Sequence, residues 1–156
     1  MTKRSFQEKL ADSKDFPRVQ QLTGGMKRRY GPGTIALPAP SEVDELMRRV
    51  PKGKVTTINQ IRDCLAKRHS ATVACPIVTG IHARIAAGAA GESEAAGKKR
   101  ITPYWRTLKA KGEVNAKYPG GLPEQRRRLE REGLEIVGRS NRLFVRDHEK
   151  FLATLS

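Results

Sequence analysis

Val50-Pro51-Lys52-Gly53-Lys54-Val55-Thr56-Thr57-Ile58-Asn59-Gln60 ends one helix, turns, runs briefly as a strand and opens another helix. Pro51 disfavours the helical region for the residue before it, so a helix stops there. Lys52-Gly53 reads as a tight turn and Lys54-Val55-Thr56-Thr57 as a short β-branched strand. Ile58, Ile61 and Leu65 form the apolar stripe of the helix that follows, with Cys64 at its border as a small core residue. Upstream, Ser41-Glu42-Val43-Asp44 has the form of a capping box, and Val43, Leu46, Met47 and Val50 recur at helical spacing behind it. Helix, basic turn, strand, helix is the front half of a winged helix-turn-helix unit.

A third helix is expected over residues 78–90. Ile81, Ile85 and Ala89 should face inward, with His82 and Arg84 offered to a major groove. Pro76 suits its first turn, and Cys75 lies just before its N-terminus, where a thiolate is stabilised. Residues 91–99 read as a polar loop. Residues 123–132 form a charged helix with Leu129 inward and Gly133 as its C-terminal cap. Leu134-Glu135-Ile136-Val137 and Arg142-Leu143-Phe144-Val145 flank Gly138-Arg139-Ser140-Asn141 as a basic hairpin, the wing, suited to phosphate contact. Asp147 should cap a last helix using Phe151 and Leu152. Ahead of residue 41 so many Pro and Gly residues occur that an arm is expected, wrapped on the domain or mobile. Within it, residues 5–13 form a short helix and Thr34-Ile35-Ala36-Leu37 an extended segment. Lys27-Arg28-Arg29-Tyr30 reads equally as a phosphate contact or as a solvated basic surface. The expected class is mainly α with small β, a winged helix-turn-helix domain with a C-terminal β-hairpin. The expected organisation is an arm over 1–40, a DNA-binding domain over 41–146 and a terminal helix over 147–156.

Charge restricts the partner. Lys and Arg number 31 against 16 acids among 156 residues, a formal net charge of +15 with a pI near 10.4. Such a field attracts polyanions, nucleic acid first. No run approaches the roughly 18 apolar residues of a membrane span, and the basic start lacks the apolar stretch of a secretory signal. Cys64 and Cys75 make no disulfide framework and have no zinc-ligand spacing around them. A monomer without metal or cofactor, in the cytoplasm or on a bacterial nucleoid, is the expectation.

The remaining feature is Ile101-Thr102-Pro103-Tyr104-Trp105-Arg106, followed by Tyr118-Pro119-Gly120-Gly121. Aromatic residues are scarce in this chain and the only Trp lies here. Composition alone admits two readings, rings that fill a core or the floor of a pocket for a flat ligand such as a base.

In this order the motifs resemble the DNA-binding domain of the alkylguanine-DNA alkyltransferases over roughly residues 41–135, and most nearly the alkyltransferase-like proteins that lack the acceptor cysteine. Carrying the resemblance are the stretch 50–57, Val78-Thr79-Gly80, the stretch 101–106, Tyr118-Pro119-Gly120-Gly121-Leu122 and Leu129-Glu130-Arg131-Glu132-Gly133. The resemblance implies a DNA-repair protein. The enzymes of the family use Pro-Cys-His-Arg, the Cys accepting the alkyl group of O6-alkylguanine; Tyr104 stands at the Cys position and Trp105 at the His position, while Arg106 and Glu132 match the Arg and the His-orienting Glu. A phenol of ordinary pKa near ~10 is a weak nucleophile at neutral pH, so methylated-DNA–protein-cysteine methyltransferase activity is not expected. What the resemblance leaves is a lesion pocket for a flipped base, walled by Pro103, Tyr104, Trp105, Arg106, Tyr118, Gly120, Gly121 and Glu132. DNA contacts transfer to Lys54, Thr57, Ile58, Asn59, Gln60, Ile77, Thr79, Gly80, His82 and Arg84. Ile58 replaces the family's phosphate-rotating Tyr, Ile77 its arginine finger, and Pro119 a residue whose amide reads the lesion.

The function implied is therefore a non-enzymatic protein that binds double-stranded DNA, recognises O6-alkylguanine and marks it for nucleotide-excision-repair proteins. Two alternatives stay open: an alkyltransferase with an atypical acceptor, Cys75, and a basic winged-helix regulator of undamaged DNA whose pocket Tyr104 and Trp105 plug.

Overall fold

The computed structural model describes residues 4–155. Its long central helix is α5 (Pro76–Ala95), 20 residues and so roughly 30 Å in length. Around it stand α1 (Phe6–Ala11), α3 (Pro40–Arg48) and α4 (Ile58–Arg68), with α2 (Gly24–Tyr30) and α6 (Gly121–Arg131) at the flanks. Three small sheets join them. β2 (Thr34–Leu37) lies between antiparallel β1 (Arg18–Gln21) and parallel β4 (Val73–Ala74); β3 (Thr56–Thr57) pairs in parallel with β5 (Thr107–Leu108); β6 (Ile136–Arg139) and β7 (Arg142–Val145) make a hairpin. The class is mainly α with small β, as the sequence implied. No helix among the described residues is long and apolar enough to cross a membrane.

The opening stretch folds as read. Val43, Leu46, Met47 and Val50 are fully buried, α3 stops before Pro51, and Gly53 turns with φ 84°, a value that favours glycine. The start of α3 differs. It begins at Pro40, not Ser41, because Pro suits the first helical position and the Glu42 carboxylate reaches back to the Ala39 N–H at 3.0 Å. At the hairpin, Ser140 and Asn141 both take positive φ, as a tight two-residue turn between twisted strands requires.

Three further expectations are corrected. First, α5 is rotated relative to its sequence reading. Its buried face is made of small residues, Ala83, Ala86, Ala87 and Ala90, so that α1 and α3 approach closely, while Ile81 is left exposed and His82 is turned inward. Gly88 marks the closest approach, since a Cβ there would sit 2.4 Å from the Phe6 ring. Second, the terminal segment is no α-helix. It forms a 3-10 turn at His148–Phe151 and then a bridge from Leu152 to Val55. Third, the stretch before Pro40 carries, besides the expected short helix and the extended segment at 34–37, a strand at Arg18–Gln21 and a helix at Gly24–Tyr30. The glycines that read as breakers are turns between elements, with Gly31 at φ 82° and Gly33 at φ 142°. This stretch has its own small core of Leu22, Ile35, Leu37 and Cys75, with Met26, Tyr30 and Val78 against it.

Candidate nucleic-acid interface

Tyr104–Arg106 is a single 3-10 turn, placed by its two ends. Before it, the Thr102 hydroxyl donates to buried Asp44 at 2.6 Å; after it, Thr107 and Leu108 pair with Thr56 and Thr57. The turn therefore sits beside the 50–54 loop and the C-terminus of α6. There Gly133 and Leu134 close the helix by donating to Glu130 and Leu129, which leaves Glu132, the C-cap, facing the turn.

Glu132 is the hub. Its carboxylate accepts from the Trp105 indole N–H at 2.8 Å, from Arg106 Nη2 at 2.8 Å and from the Gly53 N–H at 3.0 Å. Arg106 also donates to the Val50 carbonyl at 2.8 Å, so one guanidinium ties α3, the turn and α6 together. Burial pushes the Glu132 carboxyl up, but the hydrogen bonds from Arg106, Gly53 and Trp105 outweigh it and hold the group below the ordinary carboxylate range.

Tyr104 lies beneath. It is 1% exposed, and its ring meets Trp105 edge-on at 5.2 Å and Tyr118 edge-on at 6.1 Å. Its hydroxyl donates to the Pro119 carbonyl at 3.3 Å. Burial raises the phenol, and the Arg128 guanidinium offsets this in part. A buried neutral phenol that donates to a carbonyl is not a nucleophile. The Tyr104 ring thus packs on both Trp105 and Tyr118, the residues between which the resemblance implies a flipped base. Pro103 is buried alongside, and Gly120 and Gly121, with φ 79° and 64°, carry the chain from Pro119 into α6.

Arg128 was seen in the sequence only as part of a basic run. Its guanidinium lies 4.5 Å from the Trp105 ring centroid and 5.7 Å from that of Tyr104, and it pairs with Glu94 and Glu124. The four-residue spacing of Arg128 and Glu132 was the signal that could have placed both on one face of α6.

The residues expected on DNA divide by exposure. Lys54, Asn59, Ile77, Gly80 and Arg84 are exposed. Ile77, Gly80, Ile81 and Arg84 fall in one line along α5, with the two isoleucines 64% and 53% exposed. The others are engaged inside. Thr57 caps α4 through the Gln60 N–H; Gln60 accepts from the Thr56 hydroxyl and donates to the Ala153 carbonyl; Ile58 packs on the core; Thr79 donates to the Cys75 carbonyl at 2.6 Å. His82, expected outward, is 5% exposed and packs edge-on against Phe16 at 4.9 Å. Cys75 is buried in the N-terminal core, a cluster that contains neither Tyr104 nor Trp105.

No protein-family model matches the chain, and no curated protein matches it in sequence. Its structure is similar to that of S. pombe Atl1, solved in complex with damaged DNA containing O6-carboxymethylguanine. The TM-score is 0.50 at 19% identity, over 74% of this chain and 94% of that one. A second structure, S. pombe ATL in complex with DNA, matches with a TM-score of 0.47 at 19% identity over the same shares. The chain thus has the fold of an alkyltransferase-like protein.

Proposed function

We propose that this chain, built on the fold of an alkyltransferase-like protein, binds double-stranded DNA and does so without covalent chemistry. The observation that carries the reading is that fold, shared over 74% of the chain with a protein solved on damaged DNA, in a molecule of net charge +15. The exposed line of Ile77, Gly80, Ile81 and Arg84 on α5, with Lys54 and Asn59 beside the start of α4, is the face offered to the groove. Phosphate contacts give affinity that falls steeply with salt. The test is fluorescence anisotropy with a labelled duplex at rising salt. Sub-micromolar binding at low salt, weakening log-linearly, is expected; no binding at about 50 mM salt overturns the reading.

The reading without chemistry is supported by Tyr104, whose hydroxyl donates to Pro119, and by Glu132, whose carboxylate already accepts from Trp105, Arg106 and Gly53. Cys75 as an atypical acceptor is disfavoured by its burial. Intact-mass spectrometry after incubation with methylated DNA checks this: an added methyl on the protein refutes it.

A finer reading is recognition of O6-alkylguanine as a flipped base, held for nucleotide-excision-repair proteins. It draws on the aromatic and glycine walls, Trp105, Tyr118 and Gly120, and requires Tyr104 to leave the space between them. Against it stands the packing of Tyr104 on both neighbours, which favours a DNA-binding module with its pocket closed. A duplex carrying one alkylguanine, bound at least tenfold more tightly than its undamaged twin, supports the sensor; equal affinity supports the closed module.

A further inference from the structure

The stretch before Pro40 does more than cover the domain. Its strand β2 pairs with β4, the strand that runs straight into α5, and the Cys75 N–H donates to the Ala36 carbonyl at 2.9 Å. One side of α2 is bolted down. Met26 and Tyr30 pack on the cluster of Leu22, Ile35, Leu37 and Cys75, against which Val73 and Val78 also lie. The Tyr30 hydroxyl accepts from Arg62 Nη2 at 3.2 Å, and Arg62 Nε reaches the Ala74 carbonyl at 3.1 Å. The unit is thereby fixed to α4 and to the first turn of α5, where Val78 is the neighbour of exposed Ile77.

The remaining surface of α2 carries Lys27, Arg28 and Arg29, all exposed, with the Arg29 guanidinium 5.5 Å from the Tyr30 ring centroid. None of the three makes an ion pair with a carboxylate among the described residues, whereas most other arginines in the chain do. Three unneutralised cations held on a rigid mount, beside the end of the helix that faces the groove, form a surface for a polyanion of fixed geometry. Cations in a last helical turn also interact favourably with the helix dipole. That role needs no such mount, and it has no consequence for a ligand.

We propose that α2 extends the duplex-binding face. Lys27, Arg28 and Arg29 take backbone phosphates on the flank of the groove that the start of α5 enters, lengthening the footprint on DNA. This rests on the DNA-binding reading above, and it assigns the partner as duplex phosphate rather than an acidic protein or an anionic membrane.

The test uses the full chain with K27Q/R28Q/R29Q and a control of equal charge change, K98Q/K99Q/R100Q, in the exposed loop beyond the far end of α5. Each is titrated by anisotropy against one labelled duplex at several salt concentrations. Losing three phosphate contacts should lower the log-log salt slope by about 2–3 and weaken binding about 10- to 100-fold at physiological salt. The control should change affinity by less than about threefold, since screening at the Debye length weakens a distant charge. K27R/R28K/R29K should restore binding, and thermal melts should confirm that each variant folds. Equal losses in the two glutamine variants, or none in the first, overturn the proposal while duplex binding stands. Failure of the wild type to bind any duplex overturns the DNA-binding reading and this proposal with it. Unchanged duplex affinity with lost binding to anionic vesicles would reassign the surface to membrane.

Discussion

Trp105 donates its indole N–H to Glu132 Oε2 at 2.8 Å. In the resemblance these are the positions of an activating histidine and the carboxylate that orients it. An indole is a donor only, so it can satisfy the carboxylate but cannot take a proton from a neighbour. Arg106 and Gly53 complete the coordination of the carboxylate. Through these bonds the carboxylate and Arg106 brace the 50–53 loop, the 3-10 turn and the end of α6.

Removal of Glu132 should therefore be a stability effect. Arg106 and Glu132 side chains are 14% and 7% exposed, and Glu132→Ala leaves the guanidinium without its counter-charge. A loss of about 3–5 kcal/mol is expected, as for other buried pairs broken from one side. Urea unfolding followed by Trp105 fluorescence measures it; a loss below about 1 kcal/mol would show that the pair is not structural.

The same carboxylate sets a dependence on acid. Its pKa is lowered in the fold, so the unfolded chain binds more protons as pH drops toward and below the usual carboxylate value. Its contribution is full above about 4.5 and is lost as pH falls through the folded value. Melting temperatures from pH 6 to 3 should fall more steeply for the wild type than for Glu132→Gln.

His82 acts one window higher. Burial lowers its pKa, with the Pro38 carbonyl acting the other way, and its Nδ1 has no hydrogen-bond partner. The fold thus favours neutral imidazole. Stability should rise with pH through the window below about 6.5 and level off above it. His82→Leu should flatten that rise; an unchanged profile between pH 5 and 7 would assign the slope to other groups.

Much of this fold was legible locally. Pro51, Gly53 and the β-branched run at 54–57 gave α3, the turn and the strand, since each acts through backbone geometry at its own position. The register of α5 was not, because its buried face is alanine and its larger apolar residues, Ile77 and Ile81, point to solvent. Hydrophobic periodicity weights size, and close helix packing reverses that weighting. In the N-terminal stretch the short helix at 5–13 and the extended segment at 34–37 were legible, but not their assembly, because β2 pairs with β4, 38 residues apart at Ile35 and Val73, and no local signal reports a partner so distant. The site residues were named by resemblance, but that the Tyr104 ring packs on both Trp105 and Tyr118 is a matter of packing that no motif carries.

If Tyr104 is a plug, shortening it should open the site. Tyr104→Phe loses only a 3.3 Å hydrogen bond, a cost of about 0.5–1.5 kcal/mol. Tyr104→Ala empties the space, costs about 3–5 kcal/mol in stability and should raise the preference for a duplex with one alkylguanine relative to the wild type. Competition binding with paired duplexes checks it, and an unchanged preference in the alanine variant would mean that no base enters there.

At Gly88 the argument is steric. A Cβ would stand 2.4 Å from the Phe6 ring, and α1 is tied to the same region by the Phe6 and Gln7 N–H groups, which donate to Glu92. Gly88→Ala should push α1 off α5 without unfolding the centre, because α3 holds the adjoining alanine face. Hydrogen exchange should then accelerate over residues 6–11 and stay slow over α4; equal protection in both proteins would show that the Phe6 ring simply swings aside.

Ile77 gives the last expectation. It is 64% exposed in the first turn of α5, where the resemblance puts an arginine that fills the gap left by a flipped base. An apolar side chain can enter a base step and unstack it, at a cost of a few kcal/mol repaid by wider contact. Because the residue touches solvent, Ile77→Ala should leave the melting temperature nearly unchanged, which separates folding from function. With 2-aminopurine placed at successive steps of a duplex, wild-type protein should brighten the probe at the step it opens and Ile77→Ala should not. Equal brightening by both proteins would exclude Ile77 as the wedge, and brightening lost only with Ile81→Ala would move the wedge one turn along α5.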